Sequence, residues 1–185
     1  SCTGGLVFEG RHLDEATAEA TMLDCVARLS RGDFDGTAYW LMEALMIQGW
    51  GYTDAVQRAI DGLKGVYSIY VKAVQSFDGY GTENDQSQAF RLFSEGVKEG
   101  DPSGRCQAML AFCYKYGLGC TRNMERAVEL YREAVEVGNP RAQRGLGLMY
   151  NNGFGVEESK EEARRLFELS HRQGYVCLLY TSPSP

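Results

Sequence analysis

The residues in this sequence whose types and spacing could support chemistry are paired glycines, cysteines, two histidines and clustered carboxylates. Gly49-Trp50-Gly51, Gly79-Tyr80-Gly81, Gly117-Leu118-Gly119 and Gly153-Phe154-Gly155 invite comparison with phosphate-cradling loops. Such a loop follows a strand, opens a helix and usually carries a third glycine. Each pair here follows a helical pattern and leads into another, so it is read as a helix-to-helix turn. Cys106, Cys113 and Cys120 recur every seven residues, but a thiolate metal site needs four convergent ligands. No fourth ligand is evident, and packing thiols are expected. His12 and His171 face no nucleophile or second ligand at a credible spacing. Asp14-Glu15 and Glu157-Glu158 fall at predicted helix starts, where negative charge interacts favourably with the helix dipole. Glu161-Glu162 with Arg164-Arg165 fits a solvated helical face. No catalytic residue, metal or cofactor is assigned from these groups.

The elements that would position such residues follow from composition and periodicity. The 185 residues are 44% hydrophobic and 24% charged, enough apolar content for a packed core. No uninterrupted apolar run is long enough for a membrane helix, so no membrane insertion is expected. The net charge is −6; residues 1–65 hold 5 Lys+Arg against 10 Asp+Glu, and the remainder 14 against 15. That balance disfavours nucleic acid as the main partner. The closing segment Cys177–Pro185 matches a translated sequencing adapter, so the natural sequence is expected to end near Val176. The chain begins without Met, and no compartment is assigned from it.

The glycine pairs are spaced by 30, 38 and 36 residues, and an alanine follows each second glycine by eight positions: Ala59, Ala89, Ala127 and Ala163. The last two copies align without a gap. Tyr114 falls on Tyr150, Leu110 on Leu146, Tyr131 on Phe167 and Gly138 on Gly174. Before the turn, Ala142, Leu146 and Tyr150 share one helical face; after it, Ala163, Leu166, Phe167 and Ser170 do the same. Each unit is therefore helix, glycine turn, helix, with Asn139-Pro140 ending the second helix and forbidding its continuation. Upstream copies are degenerate. Ala89 to Phe93 fits a second helix, Val66, Ile69, Tyr70, Ala73 and Phe77 a first helix, and Met42 and Met46 an earlier one. Asp14 to Arg31 predicts one amphipathic helix ending at Gly32. A single helix pair cannot bury its apolar face alone, so neighbours must stack into a solenoid. The expected divisions are a ragged segment over 1–13, degenerate repeats over 14–78, regular repeats over 79–176 and the adapter-like tail.

The pattern Ala142-x-x-x-Leu146-Gly147-x-x-Tyr150-x-x-Gly153-x-Gly155, then Ala163-x-x-Leu166-Phe167, resembles the Sel-1-like repeat, a relative of the tetratricopeptide repeat. The likeness covers 106–175 most fully, extends through 79–105 and departs from the pattern over 14–78. It implies an all-α, right-handed α/α superhelix whose concave groove binds another protein or peptide segment. One disulfide-linked branch of the family would use a cysteine where Gly96 and Val97 stand, so its bridge to Cys106 is not expected.

By the register of that family, first helices line the groove. The implied contacts are Trp40 and Ile47 in the early unit, Phe112, Lys115 and Tyr116 in the next to last, and Arg144, Leu148, Asn151 and Asn152 in the last. Aromatic anchors, cations and amides suit peptide recognition. A scaffold or adaptor is the preferred reading. Two alternatives come from relatives: an adaptor of endoplasmic-reticulum degradation, and a secreted hydrolase of β-lactams. The second lacks a nucleophile and base at workable spacing.

Overall fold

The computed structural model describes residues 7–8, 11–12, 14–32 and 37–173. The adapter-like Cys177–Pro185 and the side chains of His12 and Trp40 lie outside the described residues. A two-residue antiparallel ribbon, β1 (Val7–Phe8) with β2 (Arg11–His12), precedes the first helix. Every other described element is a helix, which places the chain in the all-α class of helical-repeat solenoids. It forms two compact units, Ser1–Asn84 and Asp85–Pro185.

The N-terminal unit contains α1 (Glu15–Ser30), α2 (Thr37–Gln48), α3 (Asp54–Asp61) and α4 (Gly65–Asp78). Asp14 caps α1 by accepting a hydrogen bond from the Thr17 amide at 2.7 Å, as its place before an apolar stripe predicts. Hydrogen bonding from the Thr17 side chain, and then from its amide, holds the carboxyl below the usual aspartate range. Met42 and Met46 are buried as expected. Ala59 is not: it is half-exposed, and Val56 and Ile60 take the inward positions. The cause is the connection. Here α3 begins three residues after Gly51, whereas later second helices begin five residues after Gly81, Gly119 and Gly155. At 3.6 residues per turn, two missing residues rotate the helix by more than half a turn relative to the glycine. In α4, burial falls on Tyr70, Val71, Ala73 and Val74, with Val66, Ile69 and Phe77 only half-buried.

The C-terminal unit contains α5 (Gln86–Lys98), α6 (Arg105–Tyr116), α7 (Met124–Glu136), α8 (Pro140–Asn152) and α9 (Lys160–Arg172), each packed on the next. Four helix starts share one chemistry though not one residue: Asp85, Asn123, Asn139 and Ser159 each accept a bond from an amide three residues on. Glu157 and Glu158 stand ahead of the α9 cap and not in its first turn, which holds Glu161 and Glu162. Asn139 has a second task. Its Nδ2 donates to the Ser103 carbonyl at 3.0 Å, joining the start of α8 to the start of α6.

The two glycines of each turn do different work. Gly79, Gly117 and Gly153 end their helices in the left-handed conformation, each amide returning to a carbonyl four residues back. Gly119 and Gly155 also have positive φ, 68° and 69°. A Cβ on Gly119 would collide with the Gln86 backbone, and one on Gly155 would sit 2.9 Å from the Met124 carbonyl oxygen. The second glycine is therefore where a turn seats against the second helix of the preceding repeat. A like rule governs α8. The absence of side chains at Gly145 and Gly147 lets the Tyr131 ring of α7 and the Phe167 ring of α9 lie against its backbone, within 2.5 Å and 2.8 Å of the positions a Cβ would take.

Candidate partner-binding cleft

Consecutive first helices α6 and α8 touch, and Gly155 of the turn after α8 packs on Met124 at the end of the turn after α6. Between them is a cleft of about 430 Å³ lined by Lys115, Tyr116, Arg122, Met124, Leu148, Asn152 and Phe154. Tyr116 and Phe154 are among the exposed large hydrophobic residues. Tyr116 leans on Phe112, ring centroids 4.7 Å apart, which fixes its orientation without hiding it. Lys115 is only 6% exposed; its stem is packed and its Nζ lies 4.9 Å from the centre of the Tyr116 ring. Asn152, on the exposed side, donates to the Leu148 carbonyl at 2.8 Å, and its amide oxygen accepts from Asn151 Nδ2 at 3.4 Å.

Four of the residues expected from sequence, Lys115, Tyr116, Leu148 and Asn152, thus share one cleft. Phe112 supports it from behind. Arg144 is half-buried and does not line it. Asn151 lies toward the other side of α8, where its backbone carbonyl accepts from Lys160 Nζ at 2.5 Å, beside a second hollow of about 580 Å³ containing Phe167 and His171. Ile47, in the N-terminal unit, is 45% exposed, and the Trp40 side chain lies outside the described residues. Arg122, Met124 and Phe154 are additions that the sequence reading does not contain. Phe154 has a sequence signal, a large aromatic between two turn glycines, whereas Arg122 and Met124 enter only because the turn folds back beside α6.

Burial keeps the thiols of Cys106, Cys113 and Cys120 protonated. Cys106 and Cys113 are fully buried, and burial pushes both thiols up, Cys113 to about 12; Asp101 adds to the effect at Cys106. Among the described residues, Cys106, Cys113 and Cys120 are free thiols. Among the described residues no group of three or more His, Cys, Asp or Glu could hold a metal, and no helix is long and apolar enough to cross a membrane.

Helix pairs joined by a Gly-x-Gly turn, seated by a second close-packed glycine and lining a cleft with first helices, define a helical-repeat scaffold. The Sel1 repeat model matches residues 76–101, 104–139 and 140–175, and the chain belongs to the Sel1 repeat family. Repeats of this family typically serve as protein-interaction scaffolds. A crystal structure of a Sel1 repeat protein from Oxalobacter formigenes is similar over 64% of this chain and 86% of that one, with a TM-score of 0.50 and 27% identity. The structure of c5321, a protective antigen of uropathogenic Escherichia coli with an SLR fold, covers 90% of this chain and 35% of its own, with a TM-score of 0.54; at 23% identity it supports the fold alone. The DAP3-binding cell death enhancer 1 proteins of Rattus norvegicus and Mus musculus are 31% and 29% identical over 99 residues, or 51% of this chain. The chain spans about a fifth of the length of these curated relatives, at 19%.

Proposed function

We propose that this protein is an adaptor that holds a segment of a partner polypeptide along the first helices of its repeats. The observation that carries the reading is the α6–α8 cleft, where Tyr116, Leu148 and Phe154 present apolar surface beside the Lys115 ammonium. Exposed aromatic anchors backed by packed neighbours are the usual source of binding energy at interfaces. Phe112 is assigned the role of backing Tyr116, and Asn152 that of a polar contact to the partner's backbone. Arg144 and Asn151 are assigned to the flanks, and Trp40 and Ile47 to contacts made by the N-terminal unit. The cell death enhancers similar to this chain are described as DAP3-binding, which agrees with a partner-binding role for the repeats without naming this protein's partner.

The test is capture of partners from a native lysate by wild type, Tyr116→Ala, Leu148→Ala and Glu129→Ala, with circular dichroism to verify each fold. Glu129 lies on the exposed side of α7. Partners retained by Glu129→Ala and lost by both cleft variants are the expected result. Full retention by folded Tyr116→Ala and Leu148→Ala would place binding elsewhere.

A further inference from the structure

The cleft carries a charge pattern that the fold does not require. Its lining includes the cations Lys115 and Arg122 and no carboxylate. At the aligned positions of the next repeat stand Asn151 and Glu158, and before it Phe77 and Asn84. The repeat therefore forms without either cation. Lys115 is more than nine-tenths buried, and among the described residues its ammonium has no carboxylate partner; its neighbour is the Tyr116 ring. Arg122 is exposed and enters no ion pair among the described residues. Arg126 and Arg165, by contrast, are engaged by Glu129 and Glu162 at 2.7 and 2.9 Å. With its stem packed and its ammonium opening on the cleft, Lys115 offers a held cation that an anion entering the cleft would complete.

We propose that the α6–α8 cleft selects a polypeptide segment in which an Asp or Glu side chain neighbours a large aliphatic one. The carboxylate meets Lys115 and Arg122, and the aliphatic side chain rests on Met124, Leu148 and Phe154. This rests on the proposed scaffold role and specifies its partner. A protein of net charge −6 would repel an acidic segment at long range, so the preference is local to the cleft and acts over a few ångströms. A phosphorylated segment fits less well. Phosphate is typically gripped by several guanidinium forks, and this cleft is lined by one guanidinium, on an exposed side chain, together with a single buried lysine.

The experiment is fluorescence anisotropy of the full chain with short labelled synthetic peptides built from Glu and Leu, Lys and Leu, Ser and Leu, Glu and Ser, and phosphoserine and Leu. The Glu/Leu peptide is expected to bind, more weakly as salt rises. Lys115→Gln and Arg122→Gln should each weaken it by about tenfold, and Arg122→Glu should raise affinity for the Lys/Leu peptide. Since Lys115 is packed, exposed Arg122 keeps the test decisive if Lys115→Gln fails to fold. Equal binding of Lys/Leu and Glu/Leu, tighter binding of the phosphoserine peptide, or an Arg122→Gln protein with unchanged affinity and salt dependence would overturn the proposal. If Ser/Leu binds as well as Glu/Leu and is lost with Tyr116→Ala, the charge preference falls and the scaffold cleft stands. If no peptide responds to any cleft variant, both fall.

Discussion

Repeats 104–139 and 140–175 share a frame residue for residue, yet their second helices have different outer faces. In α7, Val128 and Tyr131 are buried because α8 packs over them. In α9 the aligned positions are Arg164, which is exposed, and Phe167, which is half-buried; Lys160 and His171 stand where Met124 and Val135 stand in α7. Phe167 rests against Gly147 on one side, while its other side borders the hollow lined by Asn151, Arg164 and His171. The pattern alone would make Tyr131 and Phe167 equally buried, and they are not. What a helix pair inherits from the repeat is its internal packing. Burial of its outer face depends on the next element.

The largest expected difference between the two repeats is therefore at these rings. Tyr131→Ala should cost about 3–5 kcal/mol and Phe167→Ala about 1–2 kcal/mol, as read from urea unfolding midpoints. Equal losses would mean that Phe167 is covered in solution.

The next contrast lies in the turns. Gly119→Val and Gly155→Val both force a β-branched residue into positive φ, costing about 1–2 kcal/mol each. Gly119→Val should be the worse, because its Cβ meets the Gln86 backbone whereas Gly155 approaches Met124 less closely. Thermal melts of the pair check this, and the reverse order would contradict the seating role of the second glycine.

The smallest contrast concerns helix starts. Asn123→Ala and Ser159→Ala should each lose about 1 kcal/mol, since each cap satisfies one amide near 3 Å at the helix end. Hydrogen exchange should show fraying confined to the first turn of α7 or α9. Protection lost throughout a repeat would show that the caps hold more than their own helix.

Much of the fold was legible because Gly, Ala and Leu at fixed offsets report local geometry. Gly117 and Gly153 end helices in both regular copies, and Ala127 and Ala163 are buried at the helix crossing in each. Ala59 kept the spacing but lost the burial, because a shorter connection turned α3 about its axis. The cleft was legible in part. Lys115, Tyr116, Leu148 and Asn152 lie on helices whose register the repeat sets, so periodicity places them on one side. Arg122 and Met124 reach it through the fold of a turn, which has no period to read. Arg144 and Asn151 follow the same helical period, yet a shift of one position along α8 is enough to carry Asn151 past the cleft edge.

The most direct test of the scaffold account is a chemical-shift titration of isotope-labelled protein with the Glu/Leu peptide. The account predicts saturable shifts at Lys115, Tyr116, Leu148, Asn152 and Phe154, with Glu129 and Arg165 on the exposed sides of α7 and α9 unmoved. Shifts centred on Glu129 and Arg165, with the cleft silent, would contradict it.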